Sequence, residues 1–209
     1  MNSLINISQW MTNLPNQELS SNLRTMKTIN DFRDDVRQAI SCIRLLPGNR
    51  WAVFHHDSYQ FLVILSALWQ LGKTACVPGD NCIGTIERLE SRVSGFLGEF
   101  GTHSEILEKS PLDADNLFQW LELDIRFEAL EIYTSGSTGE PKPITKTINQ
   151  LQNEVIALSE QWPNDRQSAV LASVYHQHMY GMVFKLFWPV STGRLFVSKT
   201  CEYIEDILY

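Results

Sequence analysis

Tyr133-Thr134-Ser135-Gly136-Ser137-Thr138-Gly139-Glu140-Pro141-Lys142 follows directly on the strand-like Ala129-Leu130-Glu131-Ile132. Glycines let successive backbone N–H groups converge on an anion, and the hydroxyls of Thr134, Ser135, Ser137 and Thr138 add donors. Lys142 then brings a mobile positive charge. The stretch therefore reads as a phosphate-gripping loop at the end of a strand, which is where ligands sit in open α/β sheets. It is not a Walker loop, because the position that would carry the second glycine after Gly136 is Pro141, followed by Lys142 and Pro143. Nor is it a dinucleotide fingerprint, since Gly136 and Gly139 lack the close Gly-x-Gly pair and a third glycine. A plain solvated linker would need no such ordered string.

Working outward, Ile29, Phe32, Val36, Ile40 and Ile43 recur at helical spacing behind the polar start Thr28 to Asp31, and Pro47-Gly48 ends that helix. Trp51 to Phe54 reads as a buried strand. Asp57 or Ser58 then caps a helix carrying Phe61, Leu65, Leu68 and Leu71, and Thr74 to Val77 is a second strand closed by the turn Pro78-Gly79-Asp80-Asn81. Strand, helix, strand in that order implies a right-handed crossover and a parallel sheet. A helix is expected around Thr85 to Arg92, while residues 93–124 carry no clear period. Further on, 169–174 and 194–197 read as strands, and 150–161 and 179–188 as helices.

At the loop the sequence resembles the adenylate-forming superfamily of acyl-CoA synthetases, peptide-synthetase adenylation domains and luciferases. Two more segments fall in that family's order. Leu71-Gly72-Lys73-Thr74-Ala75-Cys76-Val77-Pro78-Gly79-Asp80 is similar to its upstream block ending in a Val-Pro step. Tyr175-His176-Gln177-His178-Met179-Tyr180-Gly181-Met182, with Trp188-Pro189-Val190 and Gly193, is similar to its block of His, aromatic-Gly, helix and Pro-hydrophobic. The resemblance covers about residues 50–209. It implies an α/β fold with a layered, mostly parallel β-sheet and helices on both faces, residues 1–209 being the N-terminal portion of an AMP-binding domain. The family's later acidic, ribose-binding and hinge blocks and its C-terminal catalytic lysine do not occur in this sequence, so a fragment of a longer ligase, inactive alone and prone to self-association, is expected.

The activity the resemblance implies is attack of a carboxylate on the α-phosphorus of ATP, giving an acyl-adenylate and pyrophosphate, then transfer to coenzyme A or an acyl-carrier protein. Both first reactants are anionic, so the protein's task is positioning and charge neutralisation without a protein nucleophile. The resemblance places Thr134, Ser135, Gly136, Ser137, Thr138, Gly139 and Lys142 against the phosphates, with Lys142 the catalytic cation and Thr134 the hydroxyl nearest Mg²⁺. It places His178, Tyr180, Gly181 and Met182 at the acyl pocket, although a His and aromatics opening an apolar helix equally describe simple core. His176 and His178 form a His-x-His pair without a carboxylate or cysteine at ligand spacing. Lys185 and Lys199 read as solvated, the run Asp31 to Arg37 as a helix's wet face, and His55 and His56 as a strand-end cap. Pro143 stands where acyl-CoA synthetases commonly carry glycine and stiffens the loop exit, Lys146 stands where many relatives have histidine, and with Gln177 to Gly181 these departures resemble a divergent bacterial branch of acyl-CoA synthetase-like ligases.

Composition fits a packed domain, with 44% hydrophobic and 11% aromatic residues among 209. Seventeen Lys and Arg against 24 Asp and Glu give a net charge of -7, which disfavours a nonspecific nucleic-acid binder. No apolar run approaches the ~18 residues of a membrane span, and the start lacks a signal peptide's pattern, so a cytoplasmic location is the default expectation. Cys42, Cys76, Cys82 and Cys201 are scattered and suggest neither a disulfide framework nor a zinc ribbon. Two other readings stay open on the residues alone: an ATPase or kinase with an unusual phosphate loop, and a noncatalytic binding module.

Overall fold

The computed structural model describes residues 4–105, 107, 118–134, 142–162, 168–203 and 205, with Thr134 described by its backbone only. A short helix α1 (Trp10–Asn13) precedes an antiparallel pair, β1 (Glu18–Ser21) and β2 (Met26–Thr28). Helix α2 (Ile29–Ile43) begins with a reciprocal capping box, in which the Thr28 side chain accepts from Asp31 N and the Asp31 carboxylate accepts from Thr28 N. Strand β3 (Arg50–Phe54), helix α3 (Ser58–Gln70) and strand β4 (Thr74–Val77) form the expected crossover, and β3 and β4 pair in parallel. Asp57 is the cap of α3, its carboxylate accepting from Tyr59 N at 2.9 Å and Gln60 N at 3.0 Å.

Helix α4 (Ile83–Glu90) starts two residues before the predicted Thr85 and leads to β5 (Phe96–Gly98), a strand the aperiodic stretch after Val93 did not announce. Strand β6 (Glu128–Thr134) lies inside the sheet, and β7 (Lys142–Thr147) runs back along it. The sheet order is β5-β3-β4-β6-β7, with every pair parallel except the last. Pro143 lies within β7, an edge strand among the described residues, and edge strands are where sheets tolerate proline. Helix α5 (Ile148–Gln161) follows, opened by a second capping box between Thr147 and Gln150.

The predicted 179–188 helix is three joined pieces: α6 (Met179–Met182), a π-helical turn (Val183–Phe187) and α7 (Trp188–Thr192). Gly193 closes α7 in the left-handed region at φ 73°. Strand β8 (Phe196–Val197) joins the small sheet, pairing in parallel with β1, and not the main one. The strand expected at 169–174 is absent: that stretch makes a single bridge, Val170 to Phe196. Its backbone is satisfied by contacts spread along 195–201, including Cys201 N to Ala172 O at 3.0 Å.

Alternation along β3 divides the core. Trp51 and Val53 point into the main cluster with α2, α3 and α5, while Ala52 and Phe54 point the other way, against Ile86, Leu89, Phe96 and Phe100. The sheet is thus covered by helices on both faces, as the α/β reading requires. Helix α3 is buried all round, and Phe61, Leu62, Leu65 and Leu68 each contribute about 1.5–3 kcal/mol by leaving water. Trp10, Trp69 and Phe187 meet with centroids 5.6 to 6.3 Å apart and tie the N-terminal segment to the π-turn. Among the described residues no helix is long and apolar enough to cross a membrane.

Candidate functional site

Strands β3, β4 and β6 all end at one edge of the sheet, and the loop of interest starts there. Thr134 and Lys142 are register partners across β6 and β7, so the segment between them links two paired strands as a hairpin connection. Ser135, Gly136, Ser137, Thr138 and Gly139 lie outside the described residues. Lys142 stands exposed where the loop returns to the sheet.

Beside the hairpin is a cavity of about 660 Å³. Its walls are Gly79 and Asp80 after β4, Arg88 on α4 and Arg92 just after it, Tyr133 near the end of β6, and His178. Asp80 is held well below the usual carboxylate range, chiefly by a hydrogen bond from the Thr85 side chain, which fixes the first turn of α4. A Cβ at Gly79 would come 3.7 Å from His178 Cε1, so the imidazole packs close over that turn.

Tyr133 donates to Glu131 Oε1 at 2.8 Å, and burial, followed by that contact, pushes its phenol up to about 12. Glu131 is buried on β6 and pairs with Arg50 from β3 on the same sheet face. Cys76, on the strand between them, sits 3.9 Å from Glu131 Oε2 and is likewise pushed up to about 12, mainly by burial. These contacts fix the tyrosine at the loop's start, and it remains a neutral donor at physiological pH.

The four residues predicted for an acyl pocket part company. His178 caps α6 from the cavity wall, and Met179 lines the same space. Tyr180 is 65% exposed and stacks on Phe184 at 5.4 Å, away from the lining. Met182 is fully buried in the main core. Gly181 serves a close approach, because a Cβ there would stand 2.1 Å from Tyr175 O.

Lys185, expected to be solvated, is fully buried on the π-turn. It donates to Thr200 Oγ1 at 3.0 Å and Ser198 O at 3.2 Å, and burial lowers its pKa to about 8. The signal was present in Val183-Phe184-Lys185-Leu186-Phe187, a lysine in an element apolar all round. His176 is also fully buried, 4.7 Å from the Phe61 ring, and burial followed by the Lys185 charge takes its pKa down to about 3. Among the described residues neither histidine belongs to a group of three or more potential metal ligands. The charged run on α2 is only partly a wet face, since Arg33 reaches Met11 O at 3.0 Å and Leu14 O at 2.8 Å. His55 and His56 both face Glu99, on the loop after β5. Tyr133, Arg88 and Arg92 were not singled out from the sequence, because only the parallel pairing of β4 with β6 brings α4 next to the loop.

The AMP-binding enzyme family model matches residues 122–202, a span that includes the hairpin, His178 and Lys185. Over that span the chain is similar to AMP-binding enzymes. Among curated relatives, the mitochondrial malonate–CoA ligase of Xenopus laevis is 34% identical over 104 residues, which is 49% of this chain and 17% of that protein. A probable CoA ligase of Humulus lupulus is 26% identical over 98 residues, covering 47% of this chain and 15% of the relative. Among solved structures, o-succinylbenzoate coenzyme A synthetase from Bacillus subtilis in complex with AMP superposes with a TM-score of 0.79 at 18% identity, over 96% of this chain and 56% of that one. The same synthetase with ATP and magnesium gives 0.77 at 17% identity, over 96% and 58%. The chain thus spans little more than half the length of these structural neighbours, and its aligned segments under a fifth of the curated relatives.

Proposed function

We propose that these residues are the N-terminal portion of the AMP-binding domain of an ATP-dependent carboxylic acid ligase. The carboxylate attacks the α-phosphorus of ATP, the bond to pyrophosphate breaks, and a thiol then takes the acyl group and releases AMP. The acceptor is coenzyme A or an acyl-carrier protein, and the names of the relatives, malonate–CoA ligase and o-succinylbenzoate coenzyme A synthetase, favour coenzyme A. The observation that carries the reading is the pairing of Thr134 with Lys142 at the sheet's carboxyl edge, next to Tyr133, which lines a cavity of about 660 Å³.

In this reading the hairpin holds the β- and γ-phosphates, with Lys142 neutralising charge on the departing pyrophosphate. In the same reading Thr134 would supply a hydroxyl to Mg²⁺, which would add further neutralisation when bound with ATP. The hard-oxygen and lysine donor set of the loop sequence suits a Mg²⁺-triphosphate better than it suits a soft metal. Arg88 and Arg92 bring positive charge to a cavity that must admit an anionic acid, and His178 flanks its entry.

Exchange of labelled pyrophosphate into ATP tests this. A protein comprising residues 1–209 and the remainder of the adenylation domain should show exchange that depends on a carboxylic acid. Lys142→Ala should slow it about 10- to 100-fold, the worth of one charge-assisted contact. Residues 1–209 alone should bind ATP without turnover. Exchange independent of any acid would contradict the ligase reading, and an unchanged rate in Lys142→Ala would remove Lys142 from it.

A further inference from the structure

Residues 175–178 cross from the small sheet to α6 and deliver His178 to the cavity wall, yet their own hydrogen bonding is incomplete. His176 Nδ1 and Gln177 Oε1 are buried with no protein partner among the described residues. Each such group costs about 1–3 kcal/mol, so this conformation has to be imposed by its surroundings. The contacts that impose it run through one buried polar cluster. Gln177 Nε2 donates to His55 O at 2.8 Å, and Asp57 N donates to His55 Nδ1 at 3.0 Å. Ser198 Oγ donates to Asp57 Oδ2 at 2.7 Å, and Ser198 O accepts from Ser58 N at 3.1 Å and Ser58 Oγ at 2.5 Å.

Lys185 closes this cluster from the far side through Ser198 O and Thr200 Oγ1. We propose that Lys185 is a positioning residue, whose buried ammonium on the π-turn locks the β8 exit against the cap of α3 and so fixes His178 in the cavity wall. The groups that face it explain why a cation is tolerated there. The Asp57 carboxylate favours its charge, while burial first and the Lys185 charge second keep His176 neutral beneath Phe61. The π-turn is what brings a side chain between Met182 and Trp188 inward to reach Ser198, a local irregularity of the kind often found beside functional sites. The link to catalysis rests on the ligase reading above, whereas the link to His176 and His178 does not.

The test compares the 209-residue protein with Lys185→Met, Lys185→Arg and Thr200→Val, mapping carbethoxylation of each histidine by diethyl pyrocarbonate with peptide mass spectrometry. In the parent protein His178 should react and His176 should be protected. Lys185→Met should raise the His176 rate at least tenfold, Lys185→Arg should restore most of the protection, and Thr200→Val should move in the Met direction by a smaller factor. In acid-dependent exchange by the longer protein, Lys185→Met should raise the acid's KM about tenfold with kcat within about twofold. A merely destabilised protein would lose amplitude at constant KM. Should Lys185→Met fail to fold, Thr200→Val decides alone: unchanged His176 protection there overturns the proposal, as does unchanged protection in a folded Lys185→Met. A lack of exchange in the parent would sink the ligase reading and leave the histidine result standing.

Discussion

Two histidines two positions apart, His176 and His178, have opposite environments, and the difference is a matter of backbone direction that no spacing rule conveys. His178 is exposed at a cavity, whereas His176 is sealed under Phe61 and kept neutral. Its folded pKa of about 3 lies below the reference 6.5, so the folded state refuses a proton that the unfolded chain accepts. Stability should therefore fall as pH drops from 6.5 towards 3, with this residue adding up to about 1.4 kcal/mol per pH unit. Urea unfolding across that window should show a shallower pH slope for His176→Phe, and equal slopes would refute burial of a neutral imidazole. Lys185 teaches the complementary lesson. From the sequence it reads as solvated, because its acceptors, Ser198 O and Thr200 Oγ1, come from a segment whose place depends on the pairing of β8 with β1.

Elements with a strong local pattern are readable and those made by distant pairing are not. Helix α2 announces itself by period and cap, and β3, α3 and β4 by apolar runs separated by Asp57 and the glycine turns. The Thr134 to Lys142 stretch reads as a phosphate loop from local chemistry alone, and residues 135–141 lie outside the described residues. Strand β7 is not legible, since Lys142 to Thr147 is polar, contains Pro143 and gains its structure only from β6. The 169–174 stretch errs in the other direction, with strand-like composition but one bridge to pair with. Gly181 belongs to this scale too, as α6 approaches Tyr175 O more closely than any side chain permits. Gly181→Ala should destabilise the fold by about 1–3 kcal/mol through overpacking against backbone, measured by urea unfolding, and a change under about 0.5 kcal/mol would contradict that close approach.

At the level of the molecule, burial and function are segregated. The α2–α3–α5 face of the sheet holds the main core, while the carboxyl edge carries the Gly79 turn, Tyr133 and His178 around one cavity. The pairing of Thr134 with Lys142 means the loop is anchored at both ends by sheet hydrogen bonds, so phosphate binding should not require the chain to reorganise at these ends. The central claim is that this hairpin grips a triphosphate, and calorimetric titration of residues 1–209 with ATP and Mg²⁺ tests it most directly. The account predicts saturable one-to-one binding that weakens about tenfold or more in Lys142→Ala while the Trp-rich core unfolds at the same denaturant concentration. Absence of ATP binding by the folded protein, or equal affinity in Lys142→Ala, would contradict it.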